Sequence, residues 1–195
     1  MESVEAPGEF GPRTQFRYRM PCEVCGGLQE IAEILSFHLN VLAWSGAQIV
    51  SCVPEFAVTP SLKAVLQQED IKGVEFKDML TTISEDYEEV PTLHGLTPRF
   101  EWLSIGGTAT GPYTNYRLIG VCRKCERDIW QPCFEVEESA YGLPNKTLVS
   151  RRSWTGADIF KTREPGVCIV TERFWEILER VGSEGVQLVE ADWVD

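Results

Sequence analysis

The sequence has few of the groups that enzymes commonly use for acid–base chemistry. It contains only two histidines, His38 and His94, among 195 residues. Neither is accompanied by a serine or cysteine in a pattern typical of a nucleophile and its base. The glycine-rich stretch 106–111 lacks the lysine and the serine or threonine that follow it in a phosphate-binding loop, so we interpret it as a turn. These absences favour a protein that binds over one that catalyses.

Positive charge is also scarce. The chain has 18 lysines and arginines against 30 acidic residues, which gives a formal net charge of −12. Affinity for nucleic acid comes largely from lysine and arginine side chains that displace counterions from phosphates. We therefore expect no direct contact with nucleic acid, and a basic protein is the natural partner of such a surface.

Long apolar runs are missing as well. No window approaches the roughly 18 apolar residues that a membrane-spanning helix needs. The first residues include Glu2, Glu5 and Glu9, and they lack the basic start and apolar stretch of a signal peptide. We expect a cytoplasmic protein with no membrane contact. In that compartment paired cysteines hold metal more often than they form disulfides.

The chain does contain similar sequence patterns twice, in the same order. Each copy begins with a short strand-like run and a CxxC pair, which are followed by a tryptophan motif and then by a threonine that precedes a helix-like segment. The matching segments are 16–25 and 116–125, 44–49 and 154–159, and 59–76 and 171–188. Self-similarity of this kind predicts an internal duplication. We expect two similar halves, 14–82 and 113–195, joined by a connecting segment, 83–112, within one compact domain.

The two CxxC pairs predict a metal site. A CxxC turn directs two thiolates at one ion, and Zn²⁺ takes four such ligands in a tetrahedron. Because the duplication gives the two pairs a reason to face each other, we predict structural zinc on four cysteines, Cys22, Cys25, Cys122 and Cys125. A site of four thiolates leaves no position for water, so it supports folding rather than catalysis.

Two other interpretations of these cysteines stay open. One is a thioredoxin-like redox pair, which two CxxC motifs fit poorly. The other is a protein that now folds without metal, because Glu126 stands where the first motif has Gly26. Of the three remaining cysteines, Cys133 lies near enough in sequence to replace a ligand. Cys52 and Cys168 lie in apolar runs typical of a protein core.

Local patterns predict an α+β protein. Thr59 before Pro60 predicts the start of a helix over 60–69, and Thr171 predicts the start of another over 172–181. Apolar residues at roughly helical spacing predict a third helix over 28–40. Short apolar runs predict strands over 14–21, 47–53, 74–77, 116–121, 130–136, 147–150, 167–170 and 186–190.

An acidic cluster with an aromatic residue inside it is the candidate surface for a partner. Aromatic side chains within a complementary field are typical anchors of tight protein inhibitors. The predicted contact residues are Glu85, Asp86, Tyr87, Glu88 and Glu89, with Trp102 and Trp193 as further aromatic anchors. The simpler alternative for each acidic cluster is a solvated surface.

The paired CxxC motifs, the segment 154–160 and the tail 171–194 together resemble a myxobacterial paralogous family known for a double CXXCG motif. Cys22, Cys25 and Gly26 match the first motif, whereas the second, at Cys122 and Cys125, has glutamate in place of glycine. The resemblance implies an immunity protein, because family members are associated with lipoprotein toxins of kin discrimination. We expect a monomer that binds and neutralises a cognate toxin, such as a basic nuclease domain.

Two rival functions stay open from the sequence. The first is a zinc-ribbon-like adaptor that binds proteins of transcription or signalling. The second is an enzyme that uses an exposed cysteine or a metal with an open coordination position.

Overall fold

The computed structural model describes residues 8–52, 55–88, 99–110, 116–132, 147–162, 168–182 and 191–194. Within these ranges the chain is mixed and rich in strands, which confirms the α+β class. In chain order the elements are β1 Gly8–Phe10, β2 Gln15–Arg19, β3 Glu30–Ser36, β4 His38–Ala43, β5 Ile49–Cys52, β6 Glu55–Val58, α1 Pro60–Gln68, β7 Val74–Lys77, β8 Leu80–Glu88, β9 Glu101–Ile105, β10 Thr108–Ala109, β11 Tyr116–Val121, β12 Asp128–Pro132, β13 Thr147–Ser150, β14 Ile159–Thr162, β15 Cys168–Val170, α2 Glu172–Val181 and β16 Ala191–Val194.

Both helices begin at the threonines that the sequence predicts. The hydroxyl oxygen of Thr59 accepts a hydrogen bond from the backbone N–H of Leu62, and that of Thr171 accepts from Phe174. Each bond satisfies one of the backbone donors that a helix leaves unpaired at its start. Gly182 ends α2 with a φ of 111°, a conformation that favours glycine.

The predicted helix over 28–40 is wrong, because this segment forms β3 and β4. Strand β3 pairs with β2 as an antiparallel hairpin, whereas β4 lies between β1 and β8 in a three-stranded sheet. Along β4, Leu39 and Val41 are fully buried two residues apart, as a strand requires. Ile31 and Leu35, which would belong to the apolar stripe of a helix, are exposed instead.

The segment predicted as a connection contributes to the main sheet. Strand β9 comes from it and lies between β6 and β7 in a four-stranded sheet of order β5-β6-β9-β7. The two helices and this sheet share one apolar core, so residues from the two predicted halves and from the segment between them pack together. Its buried members are Ile49, Val58, Leu62, Leu66, Ile71, Leu103, Ile159, Phe174, Ile177 and Leu178.

Two hairpins position the cysteines. Strands β2 and β3 form the first hairpin, residues 15–36, and β11 and β12 form the second hairpin, residues 116–132. At each tip the first cysteine donates its backbone N–H across the turn. Cys22 donates to the carbonyl of Gly27 and Cys122 to that of Arg127, both at 2.8 Å. Each CxxC motif therefore occupies a closed turn at the end of two strands.

Two further predictions concern residues at the margins of this structure. The strand over 186–190 and the end of the strand over 130–136 lie outside the described residues. Among the described residues, neither helix has the length and apolar character needed to cross a bilayer.

Candidate metal centre

The four cysteines of the CxxC pairs converge between the two hairpin tips. The sulfur of Cys22 lies 3.8 Å from that of Cys122, and the sulfur of Cys25 lies 3.8 Å from that of Cys125. All four sulfur atoms lie within 4.8 Å of one another. A tetrahedral site with metal–sulfur bonds of about 2.3 Å separates its sulfurs by about 3.8 Å. The prediction that these cysteines lie close enough to bind one metal ion is confirmed.

The backbone of both turns adopts a left-handed conformation after the second cysteine. Gly26 has a φ of 69°, and Glu126, which replaces glycine in the second motif, has a φ of 56°. The backbone N–H of Glu126 donates to the carbonyl of Cys122 at 2.8 Å. The second turn therefore keeps the left-handed conformation even though its residue has a side chain, which is sterically unfavourable there.

Backbone N–H groups favour the thiolate form of the first cysteine in each motif. Hydrogen bonds from the N–H groups of Cys25 and Val24 lower the pKa of Cys22 to about 6. The corresponding N–H groups of Cys125 and Lys124 lower the pKa of Cys122. Anionic sulfur is the form that binds metal.

Cys125 behaves differently. The N–H of Arg127 acts to lower its pKa, but burial and hydrogen bonding among the neighbouring thiols outweigh that effect and raise the pKa to about 11. Four sulfurs packed this closely cannot all be anionic without a cation, because like charges repel. A divalent ion at the centre of the cluster would remove this conflict.

Side chains beside the cysteines also connect the two hairpins. Lys124 in the second motif forms an ion pair with Glu23 in the first. The guanidinium of Arg127 reaches the first hairpin, where its Nη2 lies 3.4 Å from the carbonyl oxygen of Met20 and its Nε lies 3.0 Å from a carboxylate oxygen of Glu30. Sequence reasoning missed Arg127. The one sequence feature that could have indicated it is its position two residues after Cys125, where the first motif has Gly27.

Two other cysteines are held as protonated thiols. Burial raises the pKa of Cys52 to about 11, and burial raises the pKa of Cys168 to about 11 as well. Neither joins the four-sulfur cluster. Both residues pack against apolar clusters, in keeping with the core role that the sequence predicts. Cys133 lies outside the described residues.

His38 is buried in β4 and fully bonded rather than placed on a helix. Its Nδ1 accepts from the backbone N–H of Arg13 at 3.1 Å, and its Nε2 lies 2.8 Å from the hydroxyl of Thr82. Burial first, and then the charge of Arg13, lower the pKa of this imidazole below 6.5. The ring is therefore a structural group of the sheet. His94 lies outside the described residues.

The described residues among those predicted to contact a partner lie on three different strands, β8, β9 and β16. Residues 85–88 form the end of β8, and Glu89 lies outside the described residues. Trp102 is buried, and its indole N–H donates to a carboxylate oxygen of Glu55 at 2.8 Å. This removes Trp102 from the accessible surface and corrects its prediction as an exposed anchor.

Trp193 keeps part of its ring accessible in β16. Its centroid lies 5.0 Å from that of Trp154 and 6.1 Å from that of Phe160, and the guanidinium of Arg151 lies over it at 5.6 Å. The ring is thus held by three neighbours, with 39% of the residue exposed. Its contact with a partner stays a prediction.

Comparisons with protein-family models, with curated proteins and with solved structures find no match to this chain.

Proposed function

We propose that the four converging cysteines hold one structural zinc ion. The support is geometric, because two sulfur pairs at 3.8 Å have the spacing of a tetrahedral zinc–thiolate site. Four protein ligands complete the coordination of zinc, so the ion would not activate water. It would instead join two hairpins whose cysteines lie 100 residues apart in the sequence.

We also propose that the two halves arose by duplication, since their matching motifs make matching hydrogen bonds. The indole N–H of the repeated tryptophan donates to the carbonyl of the repeated alanine at 2.9 Å in both halves. In both halves the N-cap threonine of the helix donates its backbone N–H to the carbonyl of the residue immediately before a strand, ahead of β5 in the first half and ahead of β14 in the second. These pairs are Trp44 with Ala47, Trp154 with Ala157, Thr59 with Gln48 and Thr171 with Asp158.

We propose that the protein is an immunity protein that binds and neutralises a cognate toxin domain. The observation that carries a binding role is the apolar surface of the two hairpins. Of the eleven large apolar residues that are exposed in the described part of the chain, eight lie on these hairpins. They are Tyr18, Met20, Val24, Leu28, Ile31, Leu35, Ile119 and Val121. Exposed apolar side chains concentrated in one structural unit are typical of a protein-binding surface.

The charge of the chain supports a basic partner. A net charge of −12 attracts a positively charged domain and speeds its encounter with the chain, while apolar contacts slow its release. A nuclease domain is one such partner, because a domain that binds phosphates needs a basic surface. In this proposal the acidic cluster, residues 85–89, steers the toxin and the hairpins hold it.

Affinity capture of the tagged protein from its host, with mass spectrometry of the bound proteins, tests this proposal. We expect one stoichiometric partner with a small basic toxin domain, lost in the double variant M20D/L28D and retained in a variant with unaltered hairpins. Met20 and Leu28 are 67% and 80% exposed, so these changes leave the core intact. Recovery of polymerase or signalling subunits instead would refute the immunity role and support an adaptor.

Charge reversal separates steering from docking. In the variant E85K/D86K/E88K/E89K we expect slower association with the captured toxin and a weaker dependence on salt, with little change in dissociation. An unchanged association rate at low salt would remove this acidic cluster from the encounter. Zinc content measured on the same sample verifies that each variant has kept its hairpins.

A further inference from the structure

A buried arginine, Arg127, lies between the two hairpins, and two of its three guanidinium nitrogens lack hydrogen-bond partners in the described part of the chain, while Nη2 donates to the carbonyl of Met20 at 3.4 Å. The side chain of Arg127 is only 10% exposed. Among the described residues, its Nε and Nη1 have no partner with hydrogen-bond geometry, although Nε lies 3.0 Å from the carboxylate of Glu30. Glu30 is half exposed and also pairs with Arg19, so it neutralises this buried charge only in part. A buried guanidinium without full compensation calls for another negative group nearby.

The position of Arg127 places it between ligands of both motifs. Its backbone carbonyl accepts from the N–H of Cys122, and its backbone N–H bonds to the sulfur of Cys125. Its side chain extends to the opposite hairpin and lies against Gly27, whose carbonyl accepts from the N–H of Cys22. One residue therefore touches the immediate surroundings of three of the four sulfurs.

Gly27 and Arg127 fit together sterically. A Cβ atom built on Gly27 would lie 1.6 Å from Nη1 of Arg127 and 2.7 Å from its Cζ. No side chain can occupy position 27 while the guanidinium stays where it is. The two motifs thus differ at this position in a complementary way, since the small residue of one makes room for the large residue of the other.

We propose that Arg127 is a positioning residue of the metal centre, which supplies a positive charge to the tetrathiolate and fixes the second hairpin against the first. This inference rests on the proposed metal occupancy. Four thiolates around a divalent ion carry a net charge of −2. The guanidinium held between the two hairpins would offset part of that charge at a partly buried site, and its two unpaired nitrogens would be available to donate to sulfur.

The test compares zinc affinity, by competition with a chromophoric chelator, in four variants. In R127M, which keeps an unbranched apolar side chain but removes the guanidinium and its charge, we expect about 10–100-fold weaker binding, the range for residues that support metal ligands. R127K should recover part of the loss because it restores the charge. R123M is the matched control, because Arg123 lies in the same CxxC motif but is exposed, and it should bind like the native chain.

G27A keeps the arginine and displaces it, so it should weaken zinc binding even where R127M yields too little folded protein. Co²⁺ spectra of the folded variants provide a readout that a purely structural role would not move. We expect the sulfur-to-cobalt charge-transfer band to shift in R127M and to shift back towards its native position in R127K. Native affinity and an unshifted band in R127M, or equal losses in R127M and R123M, would overturn the inference. A native chain that takes up no metal would instead refute the proposed zinc site.

Discussion

Glu126 provides a direct measure of what the second turn costs the fold. Its φ of 56° is the left-handed conformation that Gly26 adopts at 69° in the first turn. That conformation costs a residue with a side chain about 1–2 kcal/mol relative to the right-handed region. Glycine relieves the cost, but it also gives the unfolded chain more freedom, which offsets about 0.4–1 kcal/mol.

We therefore expect Glu126→Gly to raise the free energy of unfolding by about 0.5–1 kcal/mol, the difference between these two effects. For a chain of this size, that corresponds to a rise in Tm of about 1–4 °C. Differential scanning calorimetry of the zinc-loaded protein is the measurement. Glu126→Ala is the matched control, because it also removes the carboxylate but keeps a Cβ atom in the left-handed region.

The reciprocal change completes the experiment. Gly26→Ala should lower Tm through backbone strain alone, since a Cβ built on Gly26 meets no atom within 4 Å. If Glu126→Gly and Glu126→Ala gave the same Tm, the carboxylate and not the backbone would account for the effect. A Gly26→Ala variant as stable as the native chain would refute the assignment of a strained conformation to these turns.

Two further predictions concern the metal and a buried histidine. Cys22→Ser should abolish stoichiometric zinc in elemental analysis. It should also lower Tm by more than any of the turn variants, because it removes a metal ligand and the folding energy that the metal supplies. A Cys22→Ser variant that keeps one zinc per chain would contradict this prediction. Because the pKa of His38 in the folded state lies below the unfolded value of 6.5, the unfolded chain takes up a proton first as pH falls. The contribution of His38 to stability should thus be full above about pH 6.5 and decrease below it, because protonation of Nδ1 would break the hydrogen bond from the Arg13 N–H. The measurement is the urea midpoint of unfolding at about pH 7.5 and at about pH 5.5. The two midpoints should differ less in His38→Gln than in the native chain.

The features that the sequence predicts well have local causes. Thr59 and Thr171 start helices because a threonine hydroxyl can satisfy a backbone donor three residues away, which needs no other part of the fold. The CxxC pairs are recognisable for the same reason, since the spacing itself turns two sulfurs towards one point. Their convergence is a longer-range inference, and it depends on noticing that the two motifs stand in similar surroundings.

The features that the sequence does not predict depend on distant partners. Residues 28–40 have apolar side chains at spacings that suit a helix, but β2 and β8 offer strands to pair with, and tertiary pairing overrides local spacing. Strand β9 carries no local signal that places it between β6 and β7. From the sequence alone Arg127 would be assigned to the surface, and only its contact with Gly27 in the other hairpin shows that it is buried.

The apolar core and the proposed metal site stabilise different parts of the molecule. The two helices pack on the four-stranded sheet around a buried apolar cluster, so that unit has its own source of stability. Each hairpin is a two-stranded sheet, which is only marginally stable by itself, and its exposed apolar side chains contribute little to burial. In the proposed function, zinc then compensates for apolar groups that are left outside to bind the toxin. Removing the metal should release the hairpins before the core, and affinity for the partner should be lost while the helices remain folded.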